Sequence, residues 1–159
     1  MDGGFTFEIL SKSRLPEIKP LWEKLNGMHG RESVYFKDFF AAFSFEKRIS
    51  KFEETPEERI RVEVARTRDG ACAGYCIATI SPGQVGEIDS LFIEENYRGM
   101  GAGGALVRRG LKWMESRRCS RIVVGVAYGH ESALPYYERF GFYPRVLYLE
   151  RKGRSEQGK

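Results

Sequence analysis

The chain has 159 residues and a formal net charge of +4, from 26 lysines and arginines against 22 acidic residues. Hydrophobic residues make up 42% of it and aromatic residues 13%, which excludes a wholly disordered chain and is typical of one globular domain. No apolar run approaches the roughly 20 residues that cross a bilayer, and residues 1–4 lack the features of a secretory signal. Three cysteines, an odd number, indicate a reducing compartment. We therefore expect a cytoplasmic protein with one domain over residues 1–152 and a polar tail over residues 153–159.

The first third of the chain predicts one strand and two helices. Residues 5–10 alternate as in a strand. Apolar residues recur at i, i+3, i+4 and i+7 over residues 18–25 and again over residues 36–43, which predicts two amphipathic helices. Residues 53–58 are polar and contain a proline, which predicts a loop.

The rest of the chain predicts strands interleaved with two helices. In chain order, strands are expected at residues 60–64, 71–80 and about 85–93, a helix from Gly101, a strand at 121–127, a short helix at 132–140 and a strand at 142–150. The order β-α-α-β-β-β-α-β-α-β predicts a mixed sheet flanked by helices, in the α/β or α+β class.

The most informative segment is the glycine-rich turn at residues 98–104, Arg-Gly-Met-Gly-Ala-Gly-Gly, between a predicted strand and a predicted helix. Glycines let backbone N–H groups converge on a ligand without obstruction by Cβ atoms, and a helix start adds its positive dipole end. Arg98 adds a formal charge. The turn therefore favours a phosphate or pyrophosphate ligand over the alternative, a plain turn that uses glycine for positive φ.

Other ligand classes fit this segment less well. Gly99, Gly101 and Gly104 match the dinucleotide-binding pattern G-x-G-x-x-G, but residues 94–98 separate them from the strand and too little chain follows. A P-loop is excluded because neither Lys-Ser nor Lys-Thr follows the glycines. Nucleic-acid binding is disfavoured because basic residues alternate with acidic ones. We expect no metal site, since two cysteines on one strand and two distant histidines do not make four zinc ligands.

The residues around the turn resemble the GCN5-related N-acetyltransferase (GNAT) superfamily. Its acetyl-CoA signature, R/Q-x-x-G-x-G/A, is matched by residues 98–103, and residues 87–93 look like its fourth strand. Residues 133–142 resemble its A-x-x-x-Y-E-x-x-G-F stretch. One departure is His130, three residues before Ala133, where the family often has Asn. The resemblance implies a single-domain, mostly antiparallel mixed sheet flanked by helices and splayed between strands 4 and 5.

The resemblance also implies acetyl-CoA as the cofactor. Backbone N–H groups of the turn would bind the pyrophosphate, and the end of the fourth strand would pair with the peptide-like pantetheine arm, because a strand edge offers unpaired N–H and C=O groups. The implied cofactor-binding residues are Leu91, Phe92, Ile93, Arg98, Gly99, Met100, Gly101, Ala102, Gly103, His130 and Tyr137.

Glu87 and Asp89 are the candidate general bases. Alternation along the strand puts both carboxylates on one face, which they would share with Leu91 and Ile93. The alternative is an ordinary solvated face, or ion pairs with arginines of the neighbouring strand at residues 61 and 66.

Tyr137 matches the general acid of the family, which gives its proton to the departing thiolate. The alternative is a core aromatic, because Tyr137 also lies in an apolar helical stripe. Trp22, Tyr35 and Phe36, together with Glu87, are expected at the acceptor site, although core packing explains the aromatics equally well.

We therefore expect an N-acetyltransferase that moves an acetyl group from acetyl-CoA to a primary amine of a small molecule or peptide by direct nucleophilic attack. The alternative is a non-catalytic acetyl-CoA-binding sensor or scaffold with the same fold. The expected partners are acetyl-CoA and the amine, without nucleic acid or membrane, and a homodimer is left open.

Overall fold

A five-stranded sheet forms the centre of the computed structural model, which describes residues 3–153. The strands, numbered β1 to β5 in chain order, span Thr6–Leu10, Ile60–Arg66, Cys72–Ile80, Val85–Ile93 and Arg121–Val124. They lie in the sheet in the same order. Neighbouring strands are antiparallel up to β4, and β5 runs parallel to β4. The expected mixed, mostly antiparallel sheet is confirmed.

Five α-helices flank this sheet. Numbered α1 to α5, they span Lys19–Glu32, Lys37–Ala42, Phe45–Glu53, Ala102–Ser116 and Leu134–Glu138. The sequence predicts only one helix between residues 36 and 58, and α3 is an addition to it. Ser44 caps α3 by accepting a hydrogen bond from the Lys47 N–H, and Phe45 and Phe52 are buried seven residues apart on one face of the helix.

The hydrophobic core has two parts, one on each face of the sheet. On one face, α1 and α3 pack on β2 and β3, with Trp22, Phe52 and Tyr75 in the buried cluster. On the other face, α4 packs through Leu106 and Met114. The sheet is therefore the middle of three layers, and the edge between β4 and β5 is where the two faces can communicate.

A β-bulge interrupts β4 and corrects one expectation. Ser90 pairs with Ile77 and Ile88 pairs with Ala78, so Asp89 is left without a partner on β3. Glu87 and Asp89 do share a face, on the α3 side of the sheet. Leu91 and Ile93 lie on the opposite face and pack against the α4 cluster, because one extra residue reverses the alternation that the sequence argument assumes to be unbroken.

Beyond the bulge, β4 and β5 separate. Their pairing covers only Val85 to Ile88 on β4 and Arg121 to Val124 on β5. In the part of the chain that the structure describes, the remainder of β4 has no strand beside it on this edge. The sheet is thus splayed between strands 4 and 5, as the resemblance implies.

The segment after α5 corrects a second expectation. The sequence predicts a strand over residues 142–150, whereas none of residues 142–153 lies in a strand, and Val146 and Tyr148 are 78% and 87% exposed. Apolar character gives strand propensity, but a strand also needs an edge to pair with, and β5 is only four residues long. The predicted tail lies, apart from Gly153, outside the described residues. None of the helices within residues 3–153 is long and apolar enough to cross a membrane.

Gly74 tests how tightly β3 and β4 are packed. A Cβ atom there would lie 2.7 Å from the Phe92 carbonyl oxygen and 3.2 Å from the Ile93 Cα. We expect Gly74→Ala to lower the free energy of unfolding by about 1–3 kcal/mol, because overpacking forces the strands apart. The measurement is chemical denaturation. Gly83→Ala is the matched control, since the Ser81 Oγ at 3.8 Å is its nearest neighbour, and a loss of equal size in both variants would contradict the expectation.

Candidate active site

Two cavities lie side by side where β4 and β5 diverge. The first, here called the aromatic cavity, encloses about 220 Å³ between α1, α2, β4 and the chain after β5. The second, the glycine groove, encloses about 460 Å³ between the end of β4, the start of α4 and α5. They share five lining residues: Leu25, Leu91, His130, Ala133 and Tyr137. The site is therefore a two-part cleft whose parts meet at a histidine and a tyrosine.

The glycine-rich turn forms one wall of the glycine groove. Gly99 and Gly101 have φ angles of +76° and +93°, and a Cβ atom at either would meet nothing within 4 Å. Gly101 immediately precedes α4, whose first N–H groups have no acceptor within the helix. Met100 is 48% exposed and Ala102 is buried in the core, and neither lines the groove. The turn thus presents open backbone N–H groups at a positive helix end, which suits an anion.

Three arginines line the same groove. Arg98 donates from Nε to the Ile93 carbonyl oxygen at 2.9 Å and lies 5.3 Å from the centre of the Phe92 ring. Arg108 comes from α4 and Arg139 follows α5. Three cations around one groove, with no carboxylate among its lining residues, make it a site for a ligand carrying several negative charges.

Tyr136 supplies a polar group that has no partner. Its hydroxyl is buried and makes no hydrogen bond, and burial raises its pKa. A Cβ atom on Gly103 would lie 2.8 Å from this oxygen, so only glycine leaves the space beside it open. An orphaned hydroxyl next to a glycine cradle fits a bound group that brings its own hydrogen-bonding atoms.

The end of β4 offers its backbone to the groove. The Glu94 N–H donates to the Ala73 carbonyl on β3, and backbone groups alternate in direction along a strand. Leu91 and Ile93 therefore direct their N–H and C=O groups away from β3 and into the split. Phe92 directs its backbone toward β3 and contributes its ring to the wall.

Tyr137 lies where the two cavities meet. Its side chain lines both, and its ring centre is 5.3 Å from that of Tyr136. Burial raises the pKa of the Tyr137 phenol above its ordinary value. The hydroxyl therefore keeps its proton at neutral and mildly alkaline pH and can donate it.

The two carboxylates of β4 differ in their surroundings. Asp89 is 2% exposed; it pairs with Lys51 at 2.6 Å and Arg48 at 3.3 Å, and accepts from the Thr79 hydroxyl. The ion pairs thus involve α3, and not the arginines at 61 and 66, which pair with other carboxylates. Glu87 lines neither cavity, and burial followed by the charge of Asp89 raises its pKa.

The aromatic residues expected at the acceptor site divide into two groups. Trp22 lines the aromatic cavity. Tyr35 and Phe36 do not; they border a separate groove along residues 147–152, where Tyr35 stacks on Tyr128. The remaining ring residues of the cavity wall come from α2 and its end: Phe39, Phe40 and Phe43.

The sequence profile described as the acetyltransferase (GNAT) family matches residues 28–142, which include the whole of this cleft except part of α1. The chain belongs to the GNAT family. An N-acetyltransferase of Methanocaldococcus jannaschii, MJ1207, itself described as uncharacterized, is 25% identical over 138 residues. That similarity covers 87% of this chain and 60% of the relative, so the chain spans about 60% of its length.

Solved structures share the fold. A Trypanosoma brucei acetyltransferase superimposes with a TM-score of 0.63 and 21% identity, covering 93% of this chain and 99% of that one. AAC(6')-Iy, in complex with the bisubstrate analog CoA-S-monomethyl-acetylneamine, gives a TM-score of 0.68 and 15% identity over 94% of this chain and 99% of that one.

Several residues of this GNAT cleft are absent from the sequence-based set. Arg108 could have been found, because it lies four residues after Gly104 and so on the same helix face. Tyr136 and Arg139 flank the family-like Tyr-Glu pair, but their apolar surroundings indicate core packing. Glu32, which bonds to His130 from the end of α1, leaves no signal in residue spacing.

Proposed function

We propose that this GNAT protein is an acetyl-CoA-dependent N-acetyltransferase that acetylates a primary amine of a small molecule or peptide by direct nucleophilic attack. The observation that carries the proposal is the junction of the two cavities at Tyr137. One side is suited to a polyanion and the other is a small aromatic cavity, and a proton donor stands between them. Membership of the family and the relatives named as N-acetyltransferases support the same function.

The glycine groove fits acetyl-CoA part by part. The N–H groups of residues 98–103 would hold the pyrophosphate, and Arg108 and Arg139 would balance its charge. The backbone groups of Leu91 and Ile93, with the unpartnered Tyr136 hydroxyl, would meet the amide arm. A solved relative of the same fold is named as a complex with a CoA bisubstrate analog, which supports this placement. When bound, the cofactor supplies an activated acetyl thioester.

Tyr137 would give its proton to the sulfur as the C–S bond breaks. Direct attack is favoured over an acyl-enzyme because no cysteine lines either cavity, and burial raises the pKa of the Cys76 thiol to about 12. The acceptor would enter through the aromatic cavity, past Trp22 and Phe40. A primary amine arrives protonated, so a group of the chain or a water must first remove that proton.

A ligand-binding experiment tests this proposal. Acetyl-CoA at about 100 times its Kd should stabilise the protein by about 2.7 kcal/mol, which raises Tm by roughly 5–10 °C for a chain of this size. Thiol release is then followed over a polyamine, an aminoglycoside, a hexosamine 6-phosphate and peptides with a free α-amine or lysine. Stabilisation without transfer to any amine would favour the sensor or scaffold, and no stabilisation at saturating acetyl-CoA would remove the proposal.

A further inference from the structure

His130 has a partner that the sequence does not reveal. Its Nδ1 lies 2.5 Å from Oε2 of Glu32, which is 98 positions away at the end of α1. Gly129 makes this approach possible, since a Cβ atom there would overlap the Glu32 carbonyl oxygen and its φ is +103°. The loop before α5 is therefore pressed directly onto the end of α1, and the two side chains are held together by backbone contact as well as by their own hydrogen bond.

The Glu32 bond fixes which nitrogen of His130 can accept a proton. Glu32 is acceptor-only when ionised, so Nδ1 carries the hydrogen and Nε2 keeps its lone pair. The imidazole is 23% exposed and lines both cavities at their junction. A carboxylate behind an imidazole also stabilises the imidazolium once it forms.

The charged and titratable neighbours of His130 favour this role. On α1, the His29 ring lies 5.5 Å away; burial, and secondly the charge of His130, lower its pKa, so it stays neutral. In the His130 loop, Glu131 accepts from the Gly129 N–H, which lowers its pKa. Tyr137 of α5 keeps its proton because burial raises its pKa. Across the aromatic cavity, Asp89 and Arg48 pair with each other.

The carboxylates of β4 are less well placed to act as bases. Asp89 lines the aromatic cavity, but its oxygens are occupied by Lys51, Arg48 and Thr79. Glu87 lines neither cavity. Among the residues shared by the two cavities, only His130 and Tyr137 titrate, and Tyr137 is a proton donor at neutral pH.

We propose that His130, positioned by Glu32, is the general base that takes the proton from the acceptor amine. This inference rests on the proposed function. The ammonium gives one proton to Nε2, directly or through one water, and the freed nitrogen lone pair forms the N–C bond to the acetyl carbon. The C–S bond breaks, the sulfur takes the Tyr137 proton, and the imidazolium releases its proton to solvent. Glu32 touches no reacting atom and is a positioning residue.

The test uses His130→Gln and Glu32→Gln, with the amine of the panel that gives the highest rate. We expect His130→Gln to lower kcat by about 100-fold or more and to abolish the acidic limb of the pH profile of kcat/KM. Glu32→Gln should give a smaller loss and move that limb to lower pH, because an amide stabilises the imidazolium less. Glu131→Gln removes an equal charge from the adjacent position and should match the parent protein.

Two readouts separate this inference from others. If His130 only contacts the cofactor, His130→Gln raises KM for acetyl-CoA and shrinks the thermal shift, while kcat and the acidic limb persist; that result overturns the inference. Melting of each variant without ligand shows whether it folds, and Glu32→Gln supplies the pH shift if His130→Gln does not fold. A parent protein that binds no acetyl-CoA or acetylates no amine would contradict the proposed function instead.

Discussion

Tyr137→Phe is expected to lower kcat for acetyl transfer by about 100-fold or more, the usual contribution of a general acid. The hydroxyl lies at the junction of the aromatic cavity and the glycine groove, where the thiolate would depart. The ring itself is retained, so the free energy of unfolding and the affinity for acetyl-CoA should change little. The measurement is thiol release at saturating acetyl-CoA and amine.

The pH dependence of this reaction has a defined sign. An ordinary tyrosine loses its proton near pH 10, and burial raises the pKa of Tyr137, so its donor form persists to higher pH. Any fall in the rate of the parent protein below pH 10 must then come from another group. Equal turnover of the parent and Tyr137→Phe across alkaline pH would show that Tyr137 is only a packed aromatic.

Tyr136→Phe is the matched control for Tyr137→Phe. It removes the same atom from a ring whose centre is 5.3 Å away, but that hydroxyl is buried without a partner. Removing an unsatisfied buried group is neutral or stabilising for the unliganded protein. We expect an unchanged or higher Tm without ligand, a smaller shift with acetyl-CoA, and a kcat close to that of the parent.

Local signals allowed much of this fold to be predicted. The glycine-rich turn and the start of α4 depend on glycine and helix chemistry within a few residues, and β2, β3 and β4 depend on alternation. The bulge at Asp89 is different, because it is a property of the register between β4 and β3. Sequence spacing therefore puts Leu91 on the face of Glu87, while the register puts it on the other.

The same reasoning explains what could not be predicted in the candidate site. The Glu32 bond to His130 joins the end of α1 to the loop before α5, and only the packing of the complete fold brings them together. The segment at 142–150 is the converse case, since its apolar residues carry strand propensity but the described chain provides it with no pairing edge. Propensity is local, whereas a partner is a property of the whole molecule.

Gly101→Ala is expected to weaken acetyl-CoA binding by more than about 10-fold and to lower the free energy of unfolding by about 1–2 kcal/mol, the cost of a left-handed backbone for a residue with a Cβ atom. Gly101 has a φ of +93° and precedes the first turn of α4. Its new methyl group would point into open space, so packing does not oppose the change. If the backbone instead relaxes from this conformation, the N–H groups that would bind the pyrophosphate lose their alignment.

Gly110→Ala makes the same chemical change on the same helix, away from the groove. Its Cβ atom would lie 3.8 Å from that of Ala78 and 3.9 Å from the Cys76 Sγ, which are ordinary contacts. Alanine is the better helix former, so this variant should gain roughly 0.5–1 kcal/mol of stability and keep the full thermal shift with acetyl-CoA. Opposite signs of the stability change, with binding lost only in Gly101→Ala, would tie the ligand to the turn. If Gly101→Ala bound as tightly as Gly110→Ala, the turn would serve the fold alone, and the anionic ligand would have to be held by Arg98, Arg108 and Arg139.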